Sequence, residues 1–351
     1  MKRAIFNPEH DLCMADGSGS FIPPAAVVEF ARRCSWVERF MVGPEGEEPP
    51  VEIVPWGWDR CLRERLLKEG VPEEQLPDDA QLDFIREHSR RELAVELLER
   101  VQSYTGEDYA SKQGNSVQPS SEISGSIVSP AYRIVAHTME EIETFLQERV
   151  RVVLKAPLSG SGKGVRFATG ELMETDRGWC RRTLQRQGAV IVEQRMELVK
   201  EFAMLFECGE TVNFRGYSLF YATNGAYKGN LLASNEYIEK VLGEFVPVAE
   251  LRQVQERIRV FLQEKLQGRY RGFVGVDQFV AVNHHAAEVA GADEPENLSG
   301  RKFCWNPAME INLRMTMGLV ARNIYDYHAA EYGLGDGTHC FEPEKGIFKC
   351  G

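Results

Sequence analysis

Acidic and amide side chains alternate with apolar ones in two stretches of this chain. One stretch is centred on Asp277, and the other carries Glu310, Asn312 and Arg314 at every second position. Because alternate residues of a strand share one face, these last three side chains point the same way. Three oxygen donors on adjacent strands suit a hard cation such as Mg²⁺. An arginine beside them suits the phosphates that such a cation accompanies.

An ordinary exposed face of an antiparallel sheet is the alternative interpretation of these two stretches, and it would be preferred for one strand alone. Both stretches, however, are flanked by apolar residues, and a glycine-rich loop lies upstream of them. We therefore favour the hypothesis of a metal–nucleotide site.

The glycine-rich loop follows a predicted strand at 150–155 that ends in Lys155. Its residues are Ser159, Gly160, Ser161, Gly162, Lys163 and Gly164. Open backbone N–H groups and two lysines suit a polyphosphate. The stretch is not a P-loop, because that pattern needs glycine at Pro157 and serine or threonine at Gly164. A mobile turn is the alternative, but the lysine that ends the strand favours phosphate binding.

Strands and helices must position these residues, and both are predicted along the chain. Strands near 4–6, 40–42 and 51–54 with a helix at 25–33 predict a small N-terminal βαβ layer. Helical periodicity covers 79–101, whereas the Ser/Gly/Gln-rich segment 102–129 predicts a long loop or insertion.

Alternating elements continue towards the C-terminus. Thr138 and Glu141 have the spacing of a capping box at the start of a helix. The predicted strands are 132–136, 150–155, 189–193, 201–208, 216–222, 273–282 and 303–313, and the later helices are 248–266 and 319–332.

Composition and charge exclude several classes of protein. The chain has 351 residues, 43% of them hydrophobic, and a net charge of −12, which argues against nucleic-acid binding and against an anionic membrane surface. No apolar run approaches the roughly 18 residues of a membrane span, and the apolar stretch at the start is too short for a signal peptide. The eight cysteines show no C-x-x-C pair, so we expect reduced thiols in a cytoplasmic protein.

In order and spacing, the motifs resemble those of the ATP-grasp superfamily, and in particular its carboxylate–amine ligases. The motifs are Val-Val-Leu-Lys155, the loop 159–164, Val-Ile-Val-Glu193-Gln-Arg-Met196, Lys200-Glu201-Phe, Gly-Val-Asp277 and Met-Glu310-Ile-Asn312-Leu-Arg314. The resemblance covers roughly residues 82–324 and indicates no particular member of the family.

The resemblance implies how ATP would be bound. Lys155 and the glycine-rich loop would contact the phosphates, and Glu201 would accept the ribose hydroxyls. A hinge would recognise adenine largely through backbone groups, and it comprises Glu193, Gln194, Arg195 and Met196.

One or two Mg²⁺ ions would, by the same resemblance, bind Asp277, Glu310 and Asn312. Arg314 would neutralise charge on the transferred phosphoryl group or on an acyl-phosphate oxygen.

Two further cations are less certain matches to the family pattern. Lys228 would reach the γ-phosphate, or it is a solvated lysine in a turn. Arg90 stands where the family has a phosphate-binding lysine; alternatively Arg86, Arg90 and Arg91 line a wet helix face.

The resemblance also implies the fold, which is α+β or α/β with ATP-grasp architecture. Residues 1–85 would form an N-terminal α/β domain on the substrate side. Residues 86–200 would form a first subdomain with the phosphate loop and the insertion 102–129, and 201–351 a second subdomain with the Mg²⁺ site.

The implied function is an ATP- and Mg²⁺-dependent ligase that activates a small-molecule carboxylate as an acyl-phosphate for an amine-type nucleophile. An ATP-grasp kinase and an inactive nucleotide-binding protein are the alternatives. The oligomeric state is left open, with a homodimer as one option.

Signals for the substrate are few. The polar loop after the first predicted strand lies at its carboxyl end, where open α/β layers bind ligands. Asn7, Glu9 and Asp11 of this loop are candidate substrate contacts, or they cap a turn. Arg215 would pair with a substrate carboxylate, or it is a rim residue.

Overall fold

The computed structural model describes residues 2–43, 52–103, 127–128, 132–160, 164–223, 226–283 and 303–350. Its strands are β1 (Lys2–Ile5), β2 (Glu52–Pro55), β3 (Arg133–Ala136), β4 (Arg151–Lys155), β5 (Val165–Thr169), β6 (Val190–Gln194), β7 (Leu198–Cys208), β8 (Val212–Thr223), β9 (Ala226–Leu232), β10 (Gly272–Val282), β11 (Phe303–Asn312), β12 (His339–Glu342) and β13 (Gly346–Lys349). Its α-helices are α1 (His10–Asp16), α2 (Ala25–Arg33), α3 (Arg60–Lys68), α4 (Asp79–His88), α5 (Glu92–Ser103), α6 (Met139–Glu148), α7 (Glu174–Gln187), α8 (Asn235–Leu242), α9 (Val248–Leu266) and α10 (Met317–Tyr332).

The N-terminal part is a small α/β layer in which β1 and β2 pair in parallel. The strand predicted at 40–42 is wrong, because Phe40 ends a 3₁₀ helix, Ser35–Phe40, and the next two residues form a turn and a bend. Val37 and Phe40 are three residues apart, so they lie on one side of such a helix, and both are buried against α10. The loop predicted after β1 is shorter than expected, since α1 begins at His10.

A four-stranded antiparallel sheet, here called the small sheet, has the strand order β3-β6-β4-β5. The helices α6 and α7 pack on it, and their apolar residues share one core cluster with β3, β4 and β6. The capping box predicted at the start of α6 is confirmed: the Thr138 hydroxyl accepts from the Glu141 backbone N–H, and the Glu141 carboxylate accepts from that of Thr138.

A seven-stranded sheet, here called the large sheet, has the order β11-β10-β7-β8-β9-β12-β13. Apolar residues alternate along its central strands, so each face can be covered separately. The helices α5, α8 and α9 pack with one face, and α10 packs with the other. The predicted α+β class is therefore confirmed, since two sheets with helices on their faces accompany the N-terminal α/β layer.

The C-terminal hairpin of β12 and β13 corrects the expectation that all cysteines are reduced. Cys340 and Cys350 form a disulfide, whereas the other six cysteines are free. The pairing depends on the hairpin, which brings the two residues together, and the ten-residue spacing alone did not indicate it. Among the described residues, no helix has the length and apolar character that a membrane crossing requires.

Gly57, after β2, packs closely against His10 at the start of α1. A Cβ atom at Gly57 would lie 2.6 Å from the ring of His10. His10 is buried and cannot rotate freely, because its Nδ1 lies 3.0 Å from Asp59 Oδ2. We expect Gly57→Ala to lower the free energy of unfolding by about 1–3 kcal/mol through overpacking, measured by urea denaturation.

Gly209→Ala is the matched control, since an added Cβ there would meet no atom within 4 Å. It should change the free energy of unfolding by less than about 0.5 kcal/mol. Equal effects of the two substitutions would contradict the packing argument.

Candidate functional site

The structure brings together the three predicted metal-binding side chains. Asp277 on β10 lies directly opposite Glu310 on β11 in the strand register. Asn312 Nδ2 donates a hydrogen bond to Asp277 Oδ2 over 2.9 Å. Three side chains with oxygen donors therefore share one face of the large sheet, as their spacing predicted.

The electrostatics of this face fit a cation. Burial and the adjacent Glu310 carboxylate together raise the pKa of Asp277 to about 7, against the opposing effect of Arg314. Two close carboxylates repel each other unless a positive charge lies beside them. Oxygen donors of this kind are the ligands that Mg²⁺ and Ca²⁺ prefer. Metal binding by these residues stays a prediction.

Arg91, which sequence analysis left on a wet helix face, lies at the carboxylates. Its guanidinium donates to Glu310 Oε1 over 2.9 Å and to Ser159 Oγ over 2.9 Å. It also donates to the backbone oxygen of Ala156. Arg90, the predicted phosphate contact, instead pairs with Glu92 and donates to the backbone oxygen of Gln187.

The break between α4 and α5 explains the difference between the two arginines. Both follow the turn that ends α4, and the backbone N–H of Arg91 donates to Pro157 O in the glycine-rich segment. This contact directs Arg91 towards the site. The sequence alone did not indicate which of the two adjacent arginines reaches the site.

Lys155 is held by an ion pair within the small sheet. Its Nζ lies 2.6 Å from Glu193 Oε2, and Arg133 Nη1 lies 3.5 Å from Glu193 Oε1. Burial favours the neutral acid, but the charges of Lys155 and Arg133 outweigh it and hold the pKa of Glu193 below its usual range. The Glu193 carboxylate is therefore occupied with two cations. Arg133 was not predicted as a site residue, although a charged residue in an apolar strand is a detectable signal.

Only part of the phosphate loop lies within the described residues. Ser159, Gly160 and Gly164 are described, whereas Ser161, Gly162 and Lys163 lie outside them. The backbone N–H of Ala156 donates to Gly164 O, which closes the loop at its base. A Cβ at Gly164 would lie 2.2 Å from that of Ser159, so glycine is needed for this close approach.

The predicted hinge connects the two sheets. Gln194 ends β6, Arg195 is exposed and lies over the Phe167 ring, and Met196 packs against the core of the large sheet. Glu201 follows on β7; burial raises its pKa, and the charge of Lys155 opposes this effect. Lys155 therefore acts on both Glu193 and Glu201.

Lys228 is exposed on β9, which is the third strand away from β10 in the large sheet. Neighbouring strands are about 4.8 Å apart, so its strand lies roughly 14 Å from Asp277. The structure does not place Lys228 beside the carboxylates.

The N-terminal candidates divide into two groups. Asn7 is buried, and its amide donates to Gly57 O and to Asp59, so it supports the fold. Glu9 lies at the start of α1, where its Oε1 is 3.9 Å from Arg65 Nη1. Asp11, in contrast, forms a two-pronged pair with Arg314 over 2.7 and 3.0 Å, at the end of the acidic face.

A cavity of about 800 Å³ opens beyond Arg314, between the N-terminal layer and the ends of β7, β8 and β10. Arg314 and Arg215 both line it, and Arg215 donates to Tyr327 Oη over 3.1 Å. Both arginines were predicted as site residues, but their positions in the sequence give no indication that they border one cavity.

No protein-family model matches the chain, and no curated protein matches it in sequence. The fold is similar to that of N5-carboxyaminoimidazole synthetase from Staphylococcus aureus complexed with ADP, at 11% identity and a TM-score of 0.42, covering 89% of this chain and 70% of that chain. It is also similar to the fold of the biotin carboxylase–βγ-ATP complex from Campylobacter jejuni, at 13% identity and a TM-score of 0.47, covering 78% of this chain and 50% of that chain. The fold is also similar to that of the biotin carboxylase domain of Hydrogenobacter thermophilus 2-oxoglutarate carboxylase in complex with MgADP, ADP and bicarbonate. The identity is 13%, the TM-score is 0.45, and the match covers 87% of this chain and 58% of that chain.

Because Glu193 forms ion pairs with both Lys155 and Arg133, we expect its substitution to destabilise the fold in a pH-dependent way. Glu193→Gln should lower the free energy of unfolding at pH 7 by about 3–5 kcal/mol, because it leaves two buried cations without a counter-charge. The folded pKa of Glu193 is lowered, so its contribution is present above about pH 4.3 and is lost as the pH falls through the folded value. Urea denaturation at several pH values would measure this.

Glu148→Gln is the control, because that side chain is 63% exposed and its partner among the described residues is the neighbouring Arg149. Its effect should stay below about 0.5 kcal/mol. If the effect of Glu193→Gln were the same at pH 3 and pH 7, the ion-pair argument would fail.

Proposed function

We propose that this chain is an ATP-grasp ligase, which uses ATP to activate a small-molecule carboxylate for attack by an amine or a similar nucleophile. The observation that carries the proposal is a row of side chains on one face of the large sheet. In order along the strands, the row is Glu201, the pair Asp277 and Glu310, then Asn312 and Arg314. If ATP bound along this row, its ribose would lie at Glu201, and its phosphates with their metal would lie at the acidic pair and Arg314. The order of the side chains thus matches the order of the groups in ATP.

The nucleotide end of the row is formed by both sheets. Glu201 would accept the ribose hydroxyls, and Lys155 would contact the phosphates from the small sheet. The ion pair with Glu193 positions the Lys155 ammonium before any ligand arrives, which lowers the entropy cost of binding. Gln194, Arg195 and Met196 lead from one sheet to the other, and this supports an adenine site at the hinge.

Asp277, Glu310 and Asn312 would hold Mg²⁺, because a cation would oppose both effects that raise the pKa of Asp277, its burial and the adjacent Glu310 carboxylate. When bound, Mg²⁺ would neutralise phosphate oxygens and polarise the terminal phosphoryl group. The chain's own contribution is to keep the acidic pair partly buried and aligned, with Arg91 balancing Glu310 from the side.

In the proposed reaction, a carboxylate oxygen of the first substrate attacks the γ-phosphorus of ATP. The bond from that phosphorus to the β,γ-bridging oxygen breaks, ADP leaves, and the substrate becomes an acyl-phosphate. The amine lone pair then attacks the acyl carbon and forms a C–N bond, while the C–O bond to phosphate breaks. The amine loses a proton to water, and inorganic phosphate leaves with one oxygen of the original carboxylate.

Positioning and charge, rather than a nucleophile of the protein, carry this chemistry. Arg314 would neutralise the transferred phosphoryl group, and its two-pronged pair with Asp11 fixes the plane of the guanidinium. The large cavity beyond Arg314 favours ligation over simple phosphorylation, because it leaves room for a second substrate.

Hydroxylamine separates ligation from the alternatives. The protein would be incubated with Mg²⁺, ATP and pooled small carboxylates, and ADP and hydroxamate would be measured. Both products should form together. A stable phosphorylated product without hydroxamate would support a kinase, and ATP binding without ADP formation in any pool would support an inactive nucleotide-binding protein.

Glu310→Gln should lower Mg²⁺-dependent ADP formation by at least about 100-fold, because it removes a charge from the proposed metal site while keeping the size of the side chain. Circular dichroism would check that the variant is folded. Glu174→Gln, whose side chain is 79% exposed on α7, is the control and should retain activity. Turnover of Glu310→Gln within about twofold of the unmodified protein would rule out the assignment.

A further inference from the structure

The cavity beyond Arg314 continues the row of site residues along the strands. On β7, Glu201, Ala203, Leu205 and Glu207 share one face, and Glu207 lies opposite Phe273 of β10. Phe273 and Glu207 line the cavity, together with Arg314. The cavity is therefore the space that a molecule would occupy next to the proposed phosphates.

Its size exceeds what the smallest carboxylates or amines require. About 800 Å³ lies in the upper part of the range of roughly 300–1,000 Å³ that holds drug-sized ligands. Its walls combine large apolar surfaces with charges. Trp56 is buried behind the Arg314 guanidinium at 5.9 Å, and Trp58 lines the same space.

Arg215 is turned towards this cavity by the backbone. The register of β7 and β8 shifts so that Leu205 pairs with Gly216 and Phe206 with Phe214, which leaves Arg215 without a partner on β7. Such bulges redirect a side chain next to a site. Gly216 adopts a φ of +137°, a conformation that favours glycine. Tyr327 and Glu207 then hold the guanidinium from two sides.

The two arginines are separated across the sheet. Arg314 follows β11 and Arg215 lies on β8, so three strand spacings, or about 14 Å, separate their backbones. Side chains that converge shorten this span. An extended peptide covers about 3.5 Å per residue, so roughly two to four residues would bridge the remaining distance. A single amino acid spans only about 3.5 Å, roughly a quarter of the distance between the two backbones.

We infer that the cavity binds the amine-type substrate as a short, extended peptide or a zwitterion of that length. Its carboxylate would pair with Arg215, its apolar groups would contact Phe273 and Trp56, and its amine would lie towards Arg314. Arg271, which also lines the cavity, makes no ion pair with any described residue and offers a second positive charge at the outer end. This inference rests on the proposed function, because it assigns the second substrate of that reaction.

Binding of defined probes in the presence of Mg²⁺ and ADP tests the inference without turnover. The probes are a tripeptide library with free termini, the same library with C-terminal amides, and the twenty free amino acids. Equilibrium dialysis with mass spectrometry would measure retention. Tripeptides with a free carboxylate should be retained, with at least about tenfold weaker retention of the amides and of the free amino acids.

Arg215→Gln should abolish the preference for the free carboxylate, and Arg215→Lys, which keeps the charge, should restore part of it. Arg252→Gln is the matched control, since this arginine is 66% exposed and pairs with Glu239 away from the cavity. Nucleotide binding by the Arg215 variants would show that they are folded.

Three results would overturn the inference: no retention of any peptide, equal retention of acids and amides, or retention of free amino acids alone. Each can be separated from a failure of the proposed function. If carboxylate-dependent ADP formation occurs but no peptide is retained, only the cavity assignment fails. If peptides are retained through Arg215 but no ADP forms with any carboxylate pool, the ligase proposal fails.

Discussion

Two partly buried carboxylates, Asp277 and Glu310, lie opposite each other on adjacent strands, and the surrounding structure compensates for their repulsion. Asn312 donates to Asp277, Arg91 pairs with Glu310, and the Arg314 charge acts on both. These compensating groups come from two parts of the chain, the turn before α5 and the end of β11. The acidic pair therefore determines which distant segments must meet at this sheet face.

Arginines join the small sheet to the large one at this point. Arg133 pairs with Glu193 within the small sheet and also donates to Ala308 O on β11. Arg91 contacts the segment after β4 and reaches Glu310 on β11. Both arginines are largely buried, so their charges need these partners. The same contacts that neutralise the site thus fix the small sheet against β11.

Sequence patterns predicted the parts of the site that lie within single strands. Alternation along β10 and β11 placed Asp277, Glu310 and Asn312 on one face, and Lys155 at a strand end was equally visible. The side chains that depend on turns or on distant strands were not predictable in the same way. Arg91 reaches the site where Arg90 does not, and its backbone contact to Pro157 accompanies this difference; the orientation of Arg215 depends on a bulge. The 3₁₀ helix at Ser35–Phe40 was missed because a short apolar run fits a strand equally well.

Arg91 already pairs with Glu310 at the face that is proposed to bind Mg²⁺. The guanidinium already occupies Glu310 Oε1, so a cation that enters must share this oxygen or displace the arginine. A displaced Arg91 would still be held at Ala156 O and Ser159 Oγ, next to the phosphate loop. In the absence of a bound cation, Arg91 thus balances the negative charge of Glu310. Binding of a cation at Glu310 would then replace the positive charge of Arg91 by that of the cation. The two carboxylates would at no point lie side by side without a neighbouring positive charge.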